Sequence, residues 1–192
     1  MSIRTPGRSP VLETLAAFGA VFLLQTLLGL AGAGGLLALG PGVLSRPWTV
    51  LTTVYAHANP AHLVGNAVIF AVVAPFLTRR TSRPRFHAFF VLAGAVAALA
   101  ELAVGTALGR PPLVVGASGA ILALAGYLLT GNVVTDRLLG RLSLPPRVQV
   151  AGLALLAVLV ALATGGPGVA IVAHGTGILV GLAAGRLRVL EG

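Results

Sequence analysis

The chain has 192 residues, 57% apolar and 9% charged, with a formal net charge of +9 and no cysteine. Soluble domains carry roughly 25% charged residues, so a soluble enzyme, a disordered tail and a disulfide scaffold are all disfavoured. Thiolate metal sites and cysteine nucleophiles are excluded outright. All thirteen basic residues are arginines punctuating apolar runs, and aromatics are only 5%. This pattern orients a chain in a bilayer and does not suit nucleic-acid binding.

In chain order, six stretches approach the ~20 apolar residues a membrane helix needs. They run over about 14–36, 61–78, 87–108, 117–135, 149–165 and 168–186. The first follows Arg4 and Arg8. Its apolar run exceeds the core of a secretory signal, so a retained helix is expected, and the ten residues before it are short for an organelle presequence. The loop over about 37–60 is partly apolar and carries Trp48 and Tyr55, residues favoured at a membrane interface. Breakers close the later spans: Arg79-Arg80 with Pro84, Pro111-Pro112, Asp136-Arg137 through Pro145-Pro146, and Gly165-Gly166-Pro167. No linker or repeat divides residues 1–192, so one all-α bundle is expected.

The arginines set its direction. Eleven of thirteen (Arg4, Arg8, Arg79, Arg80, Arg83, Arg85, Arg137, Arg141, Arg147, Arg186 and Arg188) fall at the two termini and in the second and fourth loops. Only Arg46 and Arg110 fall on the other side. This bias places both termini in the cytoplasm, in agreement with an even number of spans.

Under that topology the second, fourth and sixth spans begin on the outer side, and their starts carry His62 and Asn66, Ser118, and His174. At 1.5 Å per residue all four fall within roughly the outer 10 Å. Polar groups at such depth are costly. Taken singly, Ser118 reads as a packing residue and each histidine as a hydrogen-bonding one; their convergence from three helices favours chemistry. A serine hydroxyl needs a base, and neutral imidazole suits that role. Ser118 lies in Gly116-Ala117-Ser118-Gly119, where free N–H groups at a helix start can stabilise an oxyanion. His62 and Asn66, four residues apart, share a helix face and can donate to the same oxygen. Gly177 and Gly181, a turn or two beyond His174, permit the close helix approach that would bring His174 to Ser118.

Of the four acids, Asp136 follows Ser118 by about 27 Å of helix, and Glu13 and Glu191 lie on the same inner side. Glu101 alone is expected near the polar layer, as an ionisable residue within a span. The spacing thus favours a Ser-His dyad over a triad. His57 is expected to face solvent and His87 to lie at the interface.

These motifs resemble those of the rhomboid family of intramembrane serine proteases. Gly116-Ala117-Ser118-Gly119 resembles its G-x-S-G motif; Ala173-His174 with Gly177 and Gly181 resembles A-H-x-x-G-x-x-x-G. His57, His62 and Asn66 match H-x4-H-x3-N, and Trp48 stands where the first loop usually carries a tryptophan. The resemblance covers all six spans, with Gly119 among its small packing residues. It implies a Ser118/His174 dyad that cleaves peptide bonds in or beside transmembrane segments of substrate proteins. His62, Asn66 and backbone N–H groups around Gly116, Ala117 and Ser118 would serve the oxyanion, with no metal or cofactor. It also implies a cavity open to the outer side. The expected setting is the bilayer of a prokaryotic plasma membrane. Two positions depart from the family pattern: Leu122 replaces an aromatic that packs on the catalytic imidazole, and Thr49 replaces an arginine after the tryptophan. The leading alternative is a catalytically silent relative that binds or escorts transmembrane helices.

Overall fold

The computed structural model describes residues 9–131, 145–163 and 170–191. These are helical with connecting loops. We label the helices α1 (Pro10–Leu30), α2 (Thr49–Thr52), α3 (Pro60–Thr78), α4 (Arg83–Ala107), α5 (Ser118–Thr130), α6 (Pro146–Ala163) and α7 (Ile171–Arg186), with a 3-10 turn at Gly34–Leu37. The expected helix ends at residues 135 and 165, the expected start at 168, and Arg4, Arg8, Asp136, Arg137 and Arg141 lie outside the described residues.

The first span is placed differently from the expected 14–36. It begins at Pro10, because proline at the first helical position has no N–H to leave unsatisfied. It stops at Leu30, since Gly32 takes a φ of 75°, a left-handed conformation that ends the helix and turns the chain. Apolarity alone runs on through Leu37 and so hid this boundary.

Helices α1, α3 and α4 are long and apolar enough to cross a membrane, and α5, α6 and α7 are shorter apolar helices. Their outer surfaces are apolar too. On α3 the exposed side chains Val64, Val68, Val72 and Phe76 recur every four residues and form one stripe. Water would penalise such a face and hydrocarbon would not; the protein is a membrane protein.

Inside, Phe18, Phe70, Phe86 and Phe90 from α1, α3 and α4 form an aromatic cluster, with Phe70 and Phe90 edge to face at 5.3 Å. Glu13 joins α1 to the start of α4 through Arg83 at 2.7 Å and His87 at 2.9 Å. Arg85 also donates to the Glu191 carbonyl at 3.2 Å. The starts of α1 and α4 and the end of the chain therefore meet at one end of the bundle.

The most extensive helix pair is α5 with α7. A methyl group on Gly177 would overlap the Gly119 carbonyl, and one on Gly181 the Ala123 carbonyl. The two backbones touch at these points, which only glycine allows. Thr130 Oγ1 adds a hydrogen bond to the Leu182 carbonyl at 2.7 Å.

Candidate active site

The segment before Ser118 is extended and stitched to the first loop. Leu39 and Val114 exchange backbone hydrogen bonds of 3.0 and 2.7 Å. Thr53 Oγ1 donates to the Val114 carbonyl at 2.5 Å, and Gly116 N–H donates to the Thr53 carbonyl at 3.0 Å. Helix α5 then starts at Ser118. Its thirteen residues rise about 20 Å, less than the ~30 Å of a hydrocarbon core.

The close approach of α5 and α7 brings Ser118 Oγ to 2.9 Å from His174 Nε2. The first-turn N–H groups of α5 have no intrahelical acceptor. Gly116 differs from the expectation that it supplies one of the free N–H groups, since its N–H is taken by Thr53. Its contribution is space. Its φ is 131°, and an ideal Cβ would lie only 2.8 Å from His62 Cε1. No residue but glycine fits there.

His62 is held from both directions. Asn59 Oδ1 caps α3 by accepting His62 N–H at 2.8 Å, a side-chain cap of the usual kind. Pro60 takes the first helical position. Ala58 N–H donates to His62 Nδ1 at 3.4 Å. An amide can only donate, so in the neutral ring the proton sits on Nε2, the atom facing Gly116. Asn66, 6% exposed, lies one turn on, and its Nδ2 has no partner among the described residues. A cavity of about 810 Å³ is lined by His62, Asn66, Glu101, Ser118, Leu122 and His174. The structure thus brings together Ser118, His174, His62 and Asn66, with Gly119, Gly177 and Gly181 at the helix contact beside them.

His57 does not face solvent as expected; it is completely buried. Its N–H donates to Gln25 Oε1 at 3.1 Å, and its ring meets Phe18 and His62 edge-on at 5.1 and 5.3 Å. Nδ1 donates to the Tyr55 carbonyl at 2.9 Å, which makes His57 a neutral buttress for His62. Burial, aided by the neighbouring His62, pushes its pKa down to about 4. An unfolded histidine takes up a proton near pH 6.5, whereas the folded one refuses it until about 4, so acidification across that interval favours unfolding. We expect the melting temperature in detergent to fall from pH 7 to 4.5, reflecting up to about 3 kcal/mol, and to fall less in His57→Gln. Equal slopes for the two proteins would overturn this assignment.

Sequence reading missed Asn59 and Thr53. Asn59-Pro60 is a helix-start signature that could have revealed the first; Thr53 acts 61 residues away and leaves no local trace. His87 pairs with Glu13. Leu122, in place of the family's aromatic, packs with Ala157, Ile178 and Leu182, and His174 still reaches Ser118. Thr49 Oγ1 donates to the Arg46 carbonyl at 2.7 Å and Trp48 Nε1 to the Leu36 carbonyl at 3.0 Å, which anchors the first loop.

No curated protein matches the chain. A family model, the Rhomboid domain, matches residues 44–191. That interval holds Ser118, His174, His62, Asn66, the cavity they line and both helices that meet at Gly177 and Gly181, and on this match the chain belongs to the rhomboid family.

Proposed function

We propose that the protein is an intramembrane serine endopeptidase that cleaves transmembrane segments of membrane-protein substrates through a Ser118–His174 dyad. The observation that carries the reading is the 2.9 Å contact between Ser118 Oγ and His174 Nε2, beside a donor, Asn66 Nδ2, that has no partner among the described residues and lies in the same cavity. A buried donor without an acceptor costs about 1–3 kcal/mol; a developing oxyanion would supply that acceptor.

In this reading His174 Nε2 takes the Ser118 proton as Oγ attacks the scissile carbonyl. Negative charge then gathers on the carbonyl oxygen and is met by Asn66 Nδ2, His62 Nε2–H and the N–H groups of the Ala117–Ser118 turn. The imidazolium passes its proton to the leaving amine, the C–N bond breaks, and an acyl-Ser118 ester remains. Water, deprotonated by the same imidazole, hydrolyses that ester and restores Oγ–H. The residues named require neither metal nor cofactor. Asn66→Ala and His62→Ala are each expected to lower kcat by roughly 10²–10³ with little change in KM; a wild-type kcat in both would remove the oxyanion assignment.

The same reading takes residues 1–192 as one domain of six spans with both termini cytoplasmic, on the strength of the arginine distribution. It places the protein in a prokaryotic plasma membrane. The short α5 then begins below the outer surface, and the extended segment before it carries the chain down to Ser118. The test is cleavage of a model single-span substrate in liposomes by wild type beside Ser118→Ala. Cleavage by both, or by neither, would sink the reading.

A further inference from the structure

The first turn of α7 lacks intrahelical acceptors for the N–H groups of Ile171, Val172 and Ala173. His174 N–H is the first to find one, the Ala170 carbonyl at 3.0 Å. The residue before the helix, Ala170, has no side-chain oxygen to act as a cap. Glu101 fills that role from another helix: its Oε2 accepts Ala173 N–H at 2.9 Å across 72 residues of sequence. A carboxylate inside an apolar helix is expensive unless it has work to do. Glu101 is the only acid of the chain within α4, and it lines the cavity that holds Ser118 and His174.

We propose that Glu101 is a positioning residue for His174: it pins the first turn of α7 through Ala173 and sets a negative charge beside the imidazole that accepts the Ser118 proton. The inference rests on the Ser118–His174 reading. The bond locks the residue immediately before the base, and α7 therefore meets α5 at a fixed rotation about its axis. The charge acts later in the reaction. As His174 gains a proton, a carboxylate already in place stabilises the imidazolium without any rearrangement. A triad acid would bind the imidazole itself; here the acid's hydrogen bond goes to the backbone next door.

The test uses the full chain in liposomes as wild type, Ser118→Ala, Glu101→Gln and Glu101→Leu. Each is measured for rate of fluorophosphonate labelling, for kcat and KM per labelled site, and for melting temperature. Glu101→Gln keeps an acceptor for Ala173 and nearly the same shape while losing the charge. It is expected to lower kcat and labelling rate about tenfold, with KM within about twofold and melting close to wild type. Glu101→Leu loses the acceptor as well and is expected to fall about 100-fold, the scale of a small misplacement of a reacting group. A Glu101→Gln protein that reacts at the wild-type rate per labelled site would overturn the proposal, even where Glu101→Leu melts early, because Glu101 would then be a helix cap only. Labelling retained in Ser118→Ala overturns the dyad and this proposal together. Labelling lost there and kept at full rate in Glu101→Gln overturns the role of Glu101 alone.

Discussion

Ser118→Ala is expected to abolish fluorophosphonate labelling and to reduce cleavage of a transmembrane substrate by about 10⁴-fold or more, with the fold intact. The hydroxyl is the one group whose loss removes the bond-forming atom. What activity remains comes from the oxyanion donors and from binding alone. The substitution costs little structurally, because Ser118 Oγ contacts His174 Nε2 at the cavity wall and an alanine there would keep the helix start unchanged. His174→Ala is expected to lose a comparable factor, since the hydroxyl is a weak nucleophile without its base. The double variant is expected to lose no more than either single one, as residues acting as a unit are not additive. Single-turnover cleavage in liposomes measures all three. Full additivity would show that Ser118 and His174 act apart. Labelling of wild type without cleavage, accompanied by co-purification of transmembrane segments, would favour the escort alternative.

Gly181→Leu is expected to have the next largest effect, and through packing alone. Even a methyl group at this position overlaps the Ala123 carbonyl of α5, and at Gly177 the Gly119 carbonyl. Backbone cannot yield as a side chain can, so α7 must move outward. Overpacking of this kind costs about 1–3 kcal/mol or more. The catalytic cost is larger in proportion: a displacement of roughly 1 Å at the Ser118–His174 contact is worth about 10²-fold in rate. Melting temperature and labelling rate should therefore fall together. Gly19→Ala on α1 is the control, as nothing lies within 4 Å of the added methyl, and it should leave labelling unchanged. Wild-type melting and labelling in Gly181→Leu would show that the α5–α7 contact does not set the site.

Much of the site is legible in the amino-acid sequence. His62 and Asn66 share a face because four residues make about one helical turn, and the structure places both on the cavity wall. Ser118 opens a helix where the Gly116–Gly119 run suggested one. The misplaced features share a cause. The end of α1 was hidden because the apolar run continues past the glycine that turns the chain. His57 looked solvent-facing because a histidine in a loop carries no mark of the Phe18 and His62 rings that enclose it. Gly116 looked like an N–H donor, and its N–H instead reaches the carbonyl of Thr53, far earlier in the chain.

Amino-acid order is enough to establish an apolar, arginine-punctuated helical protein with a serine, two histidines and an asparagine near three helix starts. Those properties are local, because hydropathy and helical period are read over one or two turns. The long-range contacts came from the folded chain. His174 meets Ser118 across 56 residues, Thr53 holds the strand-like approach to Ser118 across 61, and Glu101 caps α7 across 72. Each of these bonds depends on which helix lies beside which and at what rotation. Here that is set by glycine backbones in contact and by the shapes that fill the space between them.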